Sequence, residues 1–233
     1  MTDERRGGAG DRNERRNGHG ADDADRDVIE VQLDDHRAIA AELDALLPVV
    51  RDLTARLCEA FEAGARVYTF GNGGSAADAQ HLAAELIGRY DRERRPLPAV
   101  ALTVDPSVLT CIANDFDFDQ LFARQIEALA LPGDIVIGFS TSGRSSNVIN
   151  GLDAARRAGA TSVLFGGGDG GAARDHADVS LLVPSGVTAR IQEMHLLFLH
   201  LVSEGVDQWA TGERQLSPRA GRSSRRQEQR ATR

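Results

Sequence analysis

Two short stretches of this chain carry the residue types that hold a phosphate. The first is Gly71-Asn72-Gly73-Gly74-Ser75, which follows the β-rich run Arg66-Val67-Tyr68-Thr69-Phe70. The second is Ser140-Thr141-Ser142-Gly143-Arg144-Ser145, which follows Asp134-Ile135-Val136-Ile137-Gly138-Phe139. Each sets glycines and hydroxyl-bearing side chains where a strand hands over to a helix. Unsatisfied backbone N–H groups and the positive end of the helix dipole attract an anion there, and small residues let the backbone come close. One such loop is a turn as readily as a site. Two, on neighbouring parallel strands, point to a sugar phosphate. The chain has no lysine, so all 27 of its basic residues are arginine. That excludes Schiff-base catalysis and a pyridoxal phosphate anchor, and argues against an ordinary P-loop hydrolase, which needs its own lysine. The phosphate must be held by backbone N–H and hydroxyl groups, helped at most by arginine.

His81 and Glu85 are four residues apart and share one helix face. Taken singly, Glu85 reads as a solvated helix residue and His200 as a satisfied core histidine. Together, beside two phosphate-type loops, they read as functional.

The elements that must position these groups alternate along the chain. Helical periodicity runs over 33–63, with Leu43, Leu46, Leu47, Val50, Leu53 and Leu57 along one side. Strands are expected at 66–70, 98–103, 134–139, 161–165 and 178–183. Helices are expected at 75–87, through most of 106–131, at 145–158, near 171–175 and at 188–209. This pattern predicts an open, doubly wound α/β sheet of about five parallel strands with an added N-terminal helix, its site at the strand C-terminal ends. With 233 residues and 41% hydrophobic content, one core domain over 28–210 is expected. Segments 1–27 and 211–233 read as disordered, the second basic. The region between carries about −11, which argues against a nucleic-acid-binding core. Cys58 and Cys111 sit in apolar segments without a CxxC partner, so both read as buried structural thiols and no cysteine zinc site is expected. Unpaired thiols, no secretory signal and no apolar run of about 20 residues suggest a cytoplasmic protein without a membrane span.

The residues from Gly71 to Ser75, followed by Asp78, His81 and Glu85, resemble the sugar isomerase (SIS) family, and within it the phosphoheptose isomerases. Gly88-Arg89-Tyr90, Ala113-Asn114-Asp115-Phe116, Ser140-Thr141-Ser142-Gly143, Asp169-Gly170-Gly171 and Arg190-Ile191-Gln192-Glu193 agree. The resemblance covers about 35–208 and implies isomerisation of sedoheptulose 7-phosphate to D-glycero-D-manno-heptose 7-phosphate through an enediol. It implies Glu85 and His200 as the acid/base pair. It implies one Zn²⁺ per subunit on His81, Glu85, Gln192 and His200; Gln192 and His200 are eight residues apart, about 12 Å along an ideal helix, and reach one ion only through extended side chains, a distorted helix or two subunits. For the substrate it implies Asn72, Gly73, Gly74 and Ser75 at the first loop and Ser140, Thr141, Ser142 and Ser145 at the phosphate. Arg89, Asn114, Asp115, Gln192 and Glu85 would grip the sugar. A homotetramer with active sites between subunits is implied as well, packed through the N-terminal and last helices.

Beside that resemblance, His195 reads as a supporting or interface residue, because the position matching the family's key histidine is His200. His19, His36 and His176 fall outside the motifs and read as solvated, and Gly166-Gly167-Gly168 reads as a flexible turn. Two positions depart from the pattern: Ala189 stands where an aspartate usually precedes the arginine of RIQE, and Ala76 where a bulky polar residue usually follows GNGGS. Both departures resemble the non-enzymatic DiaA-like adaptors that bind the replication initiator DnaA. An adaptor has no chemical use for Glu85 and His200, and their presence favours the enzyme. A sugar-phosphate-sensing SIS domain is the third reading.

Overall fold

The computed structural model describes residues 27–213; nearly all of both expected tails, and His19 with them, lie outside the described residues. The elements run α1 (Val28–Ala41), α2 (Leu47–Glu62), β1 (Val67–Gly71), α3 (Gly74–Ile87), β2 (Ala99–Ala101), α4 (Pro106–Asp115), α5 (Ala123–Leu129), β3 (Ile135–Ser140), α6 (Ser146–Arg157), β4 (Thr161–Gly167), β5 (Val179–Val183) and α7 (Thr188–Ala210). Short 3-10 turns occupy Leu43–Leu46, Phe118–Gln120 and Ala172–His176.

Apolar, β-branched runs with no polar alternation are strands covered on both faces. β1 and β3 are buried at every position. The five strands pair in parallel in the order β2-β1-β3-β4-β5, with Thr69 beside Ile137 and Val163 beside Val179. In this strand order the chain reverses direction between β1 and β3, and the crevice beyond the carboxyl ends of those two strands is the natural ligand site of an open sheet. The two phosphate-type loops are the connections that leave β1 and β3.

One core layer packs Leu53, Leu57, Leu82, Leu86, Met194, Phe198 and Val202 of α2, α3 and α7 on one face of the sheet. The other packs Phe70, Phe122, Ile126, Val148 and Leu152 against the opposite face under α5 and α6. The expected helix over 33–63 is two helices separated by a 3-10 turn. Pro48 stands in the first turn of α2; its ring removes an N–H and crowds the carbonyl four residues back, so the helix restarts there. Cys58 is buried as expected, but Cys111 is exposed, on the outer side of α4 with its thiol 3.5 Å from Asp115 Oδ2. His36 and His176 are not free in solvent: His36 Nδ1 lies 2.7 Å from Glu193, tying α1 to α7, and His176 Nδ1 lies 2.8 Å from Asp153. β4 runs through Gly166 and Gly167, so the expected turn begins only at Gly168.

Candidate functional site

Asn72, Gly74, Ser75, Ser140, Thr141, Ser142 and Ser145 line one cavity of about 250 Å³, with Phe139, Thr188 and Gln192 completing its wall. The cavity lies where the topology predicts, at the carboxyl ends of β1 and β3. Its backbone is held by the loops themselves. Ser140 Oγ accepts from Gly143 N at 3.1 Å and Ser142 Oγ from Arg144 N at 3.3 Å, which leaves both hydroxyl hydrogens to donate elsewhere. Ser145 precedes α6 without capping it by its side chain, so that hydroxyl is not spent on its own helix. Gly143 has φ +61° and touches the Asp169–Gly171 turn so closely that a Cβ would lie 1.8 Å from Gly170 O; only glycine fits. Gly74 lies against the Gln192 amide: a Cβ there would sit 2.5 Å from Gln192 Nε2 and push that side chain aside.

Asn72 is committed to protein. It exchanges two 2.9 Å amide hydrogen bonds with Asn147, locking the first loop to the start of α6. Asn147 was not among the sequence candidates, nor was Thr188. Asn147 lies one residue into a helix after a hydroxyl-rich loop, a place where an amide is ordinary, and no local pattern reveals a partner 75 residues away.

The second group of residues lies further along the same helices. Gly74 touches Gln192 near the starts of α3 and α7. Seven residues down α3 and eight down α7, His81, Glu85 and His200 meet, with one ligand atom of each within 4.8 Å of the others. The two helices therefore run side by side in the same direction, and the cluster lies about 10 Å along them from the anion cavity. His81 Nε2 lies 2.9 Å from Glu85 Oε1 and 3.4 Å from His200 Nε2. Two imidazole nitrogens facing each other and a carboxylate suit a shared cation, and two histidines with one carboxylate form an ordinary three-ligand zinc set. Tyr90 lies against His200 with ring centroids 5.4 Å apart. Burial, and next the nearby His81, lower the His200 pKa, outweighing the pull of Glu85. The site therefore favours its neutral imidazole.

Asp78, one turn before His81, has a buried Oδ2 with no hydrogen-bond partner. Burial pushes its carboxyl up to about 6 against the opposing pull of His81. His195 is not at the site. It is fully buried between Phe139 and Phe165, and its Nε2 donates to Gly166 O at 3.0 Å; it supports the end of β4 from inside the core. Gln192 lies at the cavity rather than beside His200. Arg89 turns to Asp91 O, and Asn114 and Asp115 pair with each other at the exposed end of α4. None of these three lines the cavity. Ala189 is exposed in the first turn of α7, next to the cavity-lining Thr188, and Ala76 is half-buried in the first turn of α3.

The SIS domain family model matches residues 35–166. A phosphoheptose isomerase from Roseiflexus is 49% identical over 181 residues, covering 78% of this chain and 90% of that protein. Among solved structures, the phosphoheptose isomerase GmhA from Neisseria gonorrhoeae is 37% identical with TM-score 0.73, covering 77% of this chain and 97% of that one. A phosphoheptose isomerase from Francisella tularensis is 34% identical with TM-score 0.75, covering 77% and 96%.

Proposed function

This chain belongs to the SIS-domain family, among its phosphoheptose isomerases, and from that premise we propose that it converts sedoheptulose 7-phosphate into D-glycero-D-manno-heptose 7-phosphate. One observation carries the reading: α3 and α7 run in parallel from a hydroxyl-lined anion cavity to a carboxylate and two imidazoles about 10 Å further on. That spacing suits a long sugar held by its terminal phosphate, with the reacting carbons at the far end.

The phosphate is held by Ser140, Thr141, Ser142 and Ser145, with Ser75 and the glycines of the first loop beside it. Glu85 takes the proton from C1 of the open-chain ketose while His200 donates to the C2 oxygen, giving the enediol. Reversal of those roles takes the proton from the C1 hydroxyl and returns a proton to C2. A neutral imidazole is suited to this, since it can give a proton at one nitrogen and accept at the same nitrogen afterwards. A bound zinc ion, one per subunit, would stabilise negative charge on the two oxygens of the enediol. His81, Glu85 and His200 would hold it. A carboxylate has two oxygens, so Glu85 can serve the ion with one and the proton with the other. Gln192 is better placed for the substrate than for the ion.

The assembly is a homotetramer. In support, Leu196, Leu197 and Leu201 on α7 and Val28, Ile29 and Leu33 on α1 are exposed in the protomer, apolar side chains that a neighbouring subunit would cover. Arg89, Asn114 and Asp115 would then complete a neighbouring subunit's site. No helix among the described residues is long and apolar enough to cross a membrane, in keeping with a cytoplasmic enzyme. A DnaA-binding adaptor would have no use for the His81, Glu85 and His200 arrangement.

The test is NMR of sedoheptulose 7-phosphate with the protein in D₂O, beside Glu85→Gln. Heptose 7-phosphate with deuterium at C2, lost in the variant, is expected. A folded oligomer that gives no turnover with or without Zn²⁺ refutes the reading.

A further inference from the structure

Arg94 and Asp207 form a buried ion pair at 2.8 Å, with side-chain exposures of 1% and 0%. Neither belongs to a motif, neither lines the cavity, and neither is among the His81, Glu85 and His200 side chains of the cluster. Arg94 closes the end of α3. Its Nη2 donates to Glu85 O at 2.6 Å, and its Nη1 to Leu86 O at 2.8 Å and Gly88 O at 3.3 Å. These are among the last carbonyls of the helix, which have no partner within it. No basic residue stands in the last turn of α3 itself, and Arg94 reaches it from the segment that follows. Asp207 is the other half of the clamp. Oδ1 accepts from Arg94 Nε, while Oδ2 accepts from the backbone N–H groups of Asp91 and Arg92, both at 2.9 Å. Those amides follow Tyr90, whose ring lies against His200. Asp207 itself is on α7, two turns beyond His200.

Resting on the isomerase reading above, we propose that Arg94 and Asp207 are positioning residues for the reaction. They fix the last turn of α3, and with it Glu85, against the helix that carries His200, and they hold Tyr90 over the His200 ring. Proton transfers to and from one substrate by a carboxylate and an imidazole on two different helices demand a fixed distance between those two groups, and a misplacement of about 1 Å is enough to cost roughly 100-fold in rate. The buried fork of Arg94 supplies that constraint from behind the site, where no substrate group reaches. Lysine could restore the charge opposite Asp207, but one ammonium cannot span the carbonyls of Glu85, Leu86, Gly88 and Arg95 and a carboxylate as a planar guanidinium does.

Arg94→Met and Arg94→Lys are compared with the wild type for thermal stability, kcat and KM, with Arg157→Met as a surface-arginine control; Arg157 pairs with Glu127 at the surface. Arg94→Met is expected to lose stability and about 100-fold in kcat, with KM changed less than about threefold because the anion loops are untouched. Arg94→Lys is expected to recover most of the stability while kcat stays at least about tenfold low. Stability and kcat recovering together in Arg94→Lys, or folded variants with wild-type kcat, would overturn the proposal. If the Arg94 variants do not fold, Asp207→Asn is held to the same split. Imidazole NMR of His81 and His200 separates this claim from the proposed function. A wild type without turnover defeats the isomerase reading. The positioning claim is then decided by those resonances, which must move in Arg94→Lys and not in Arg157→Met.

Discussion

The protonation of His195 gives the sharpest energetic prediction. Its Nε2 donates to Gly166 O. A carbonyl only accepts, so Nε2 carries the hydrogen and Nδ1 holds a lone pair. Nδ1 is buried without a partner, between two phenylalanine rings. Charging the ring means placing a proton on Nδ1 where nothing accepts it. Burial accordingly lowers the pKa to about 4 from an ordinary 6.5, outweighing the favourable Gly166 carbonyl. The folded pKa lies below the unfolded one, so the unfolded chain binds the extra proton and stability falls as pH drops below about 6.5. Between pH 8 and pH 5 this one ring removes about 2 kcal/mol, roughly 30-fold in the folding equilibrium. Asp78 acts in the opposite sense. Its carboxyl is raised to about 6, so protonation favours the fold as pH falls through that value and blunts the total. The measurement must therefore be a difference. Urea denaturation at pH 8 and pH 5 is compared between wild type and His195→Gln, whose amide can still donate to Gly166 O. The wild type should lose about 2 kcal/mol more than the variant over that interval. Equal losses in the two proteins would refute the reasoning.

Two further outcomes follow from the site. Gly143→Ala forces a Cβ onto Gly170 O in a left-handed backbone conformation. It should raise KM for the sugar phosphate at least about tenfold by displacing the second loop, while Co²⁺ titration still reports an intact His81–Glu85–His200 cluster. Dialysis against a chelator should lower turnover and Zn²⁺ restore it in the wild type but not in His81→Ala, as measured by the same NMR assay with metal content read in parallel.

The strand–helix alternation, the parallel sheet and the two phosphate-type loops could be read from the chain because their causes are local. Continuous apolar runs make buried strands, and glycine or serine at a strand end marks the turn that follows. His81 and Glu85 could be placed on one face for the same reason, since four residues of helix fix their relation. Ser140 through Ser145 were found as a group because a loop keeps its neighbours together. What depended on long-range packing was not legible. The parallel course of α3 and α7 brings His200 to His81 across 119 residues and leaves Gln192 at the cavity, two turns away, although it lies on the same helix. Asn147 and Asn72 meet across 75 residues, and Arg94 and Asp207 across 113. Each partner taken alone is an ordinary polar residue. His195 shows the converse: its spacing from Gln192 invites a place at the site, but the side of α7 it occupies faces the sheet. Periodicity names the faces of a helix; only the packing of the other elements decides which face looks into the core and which into the site.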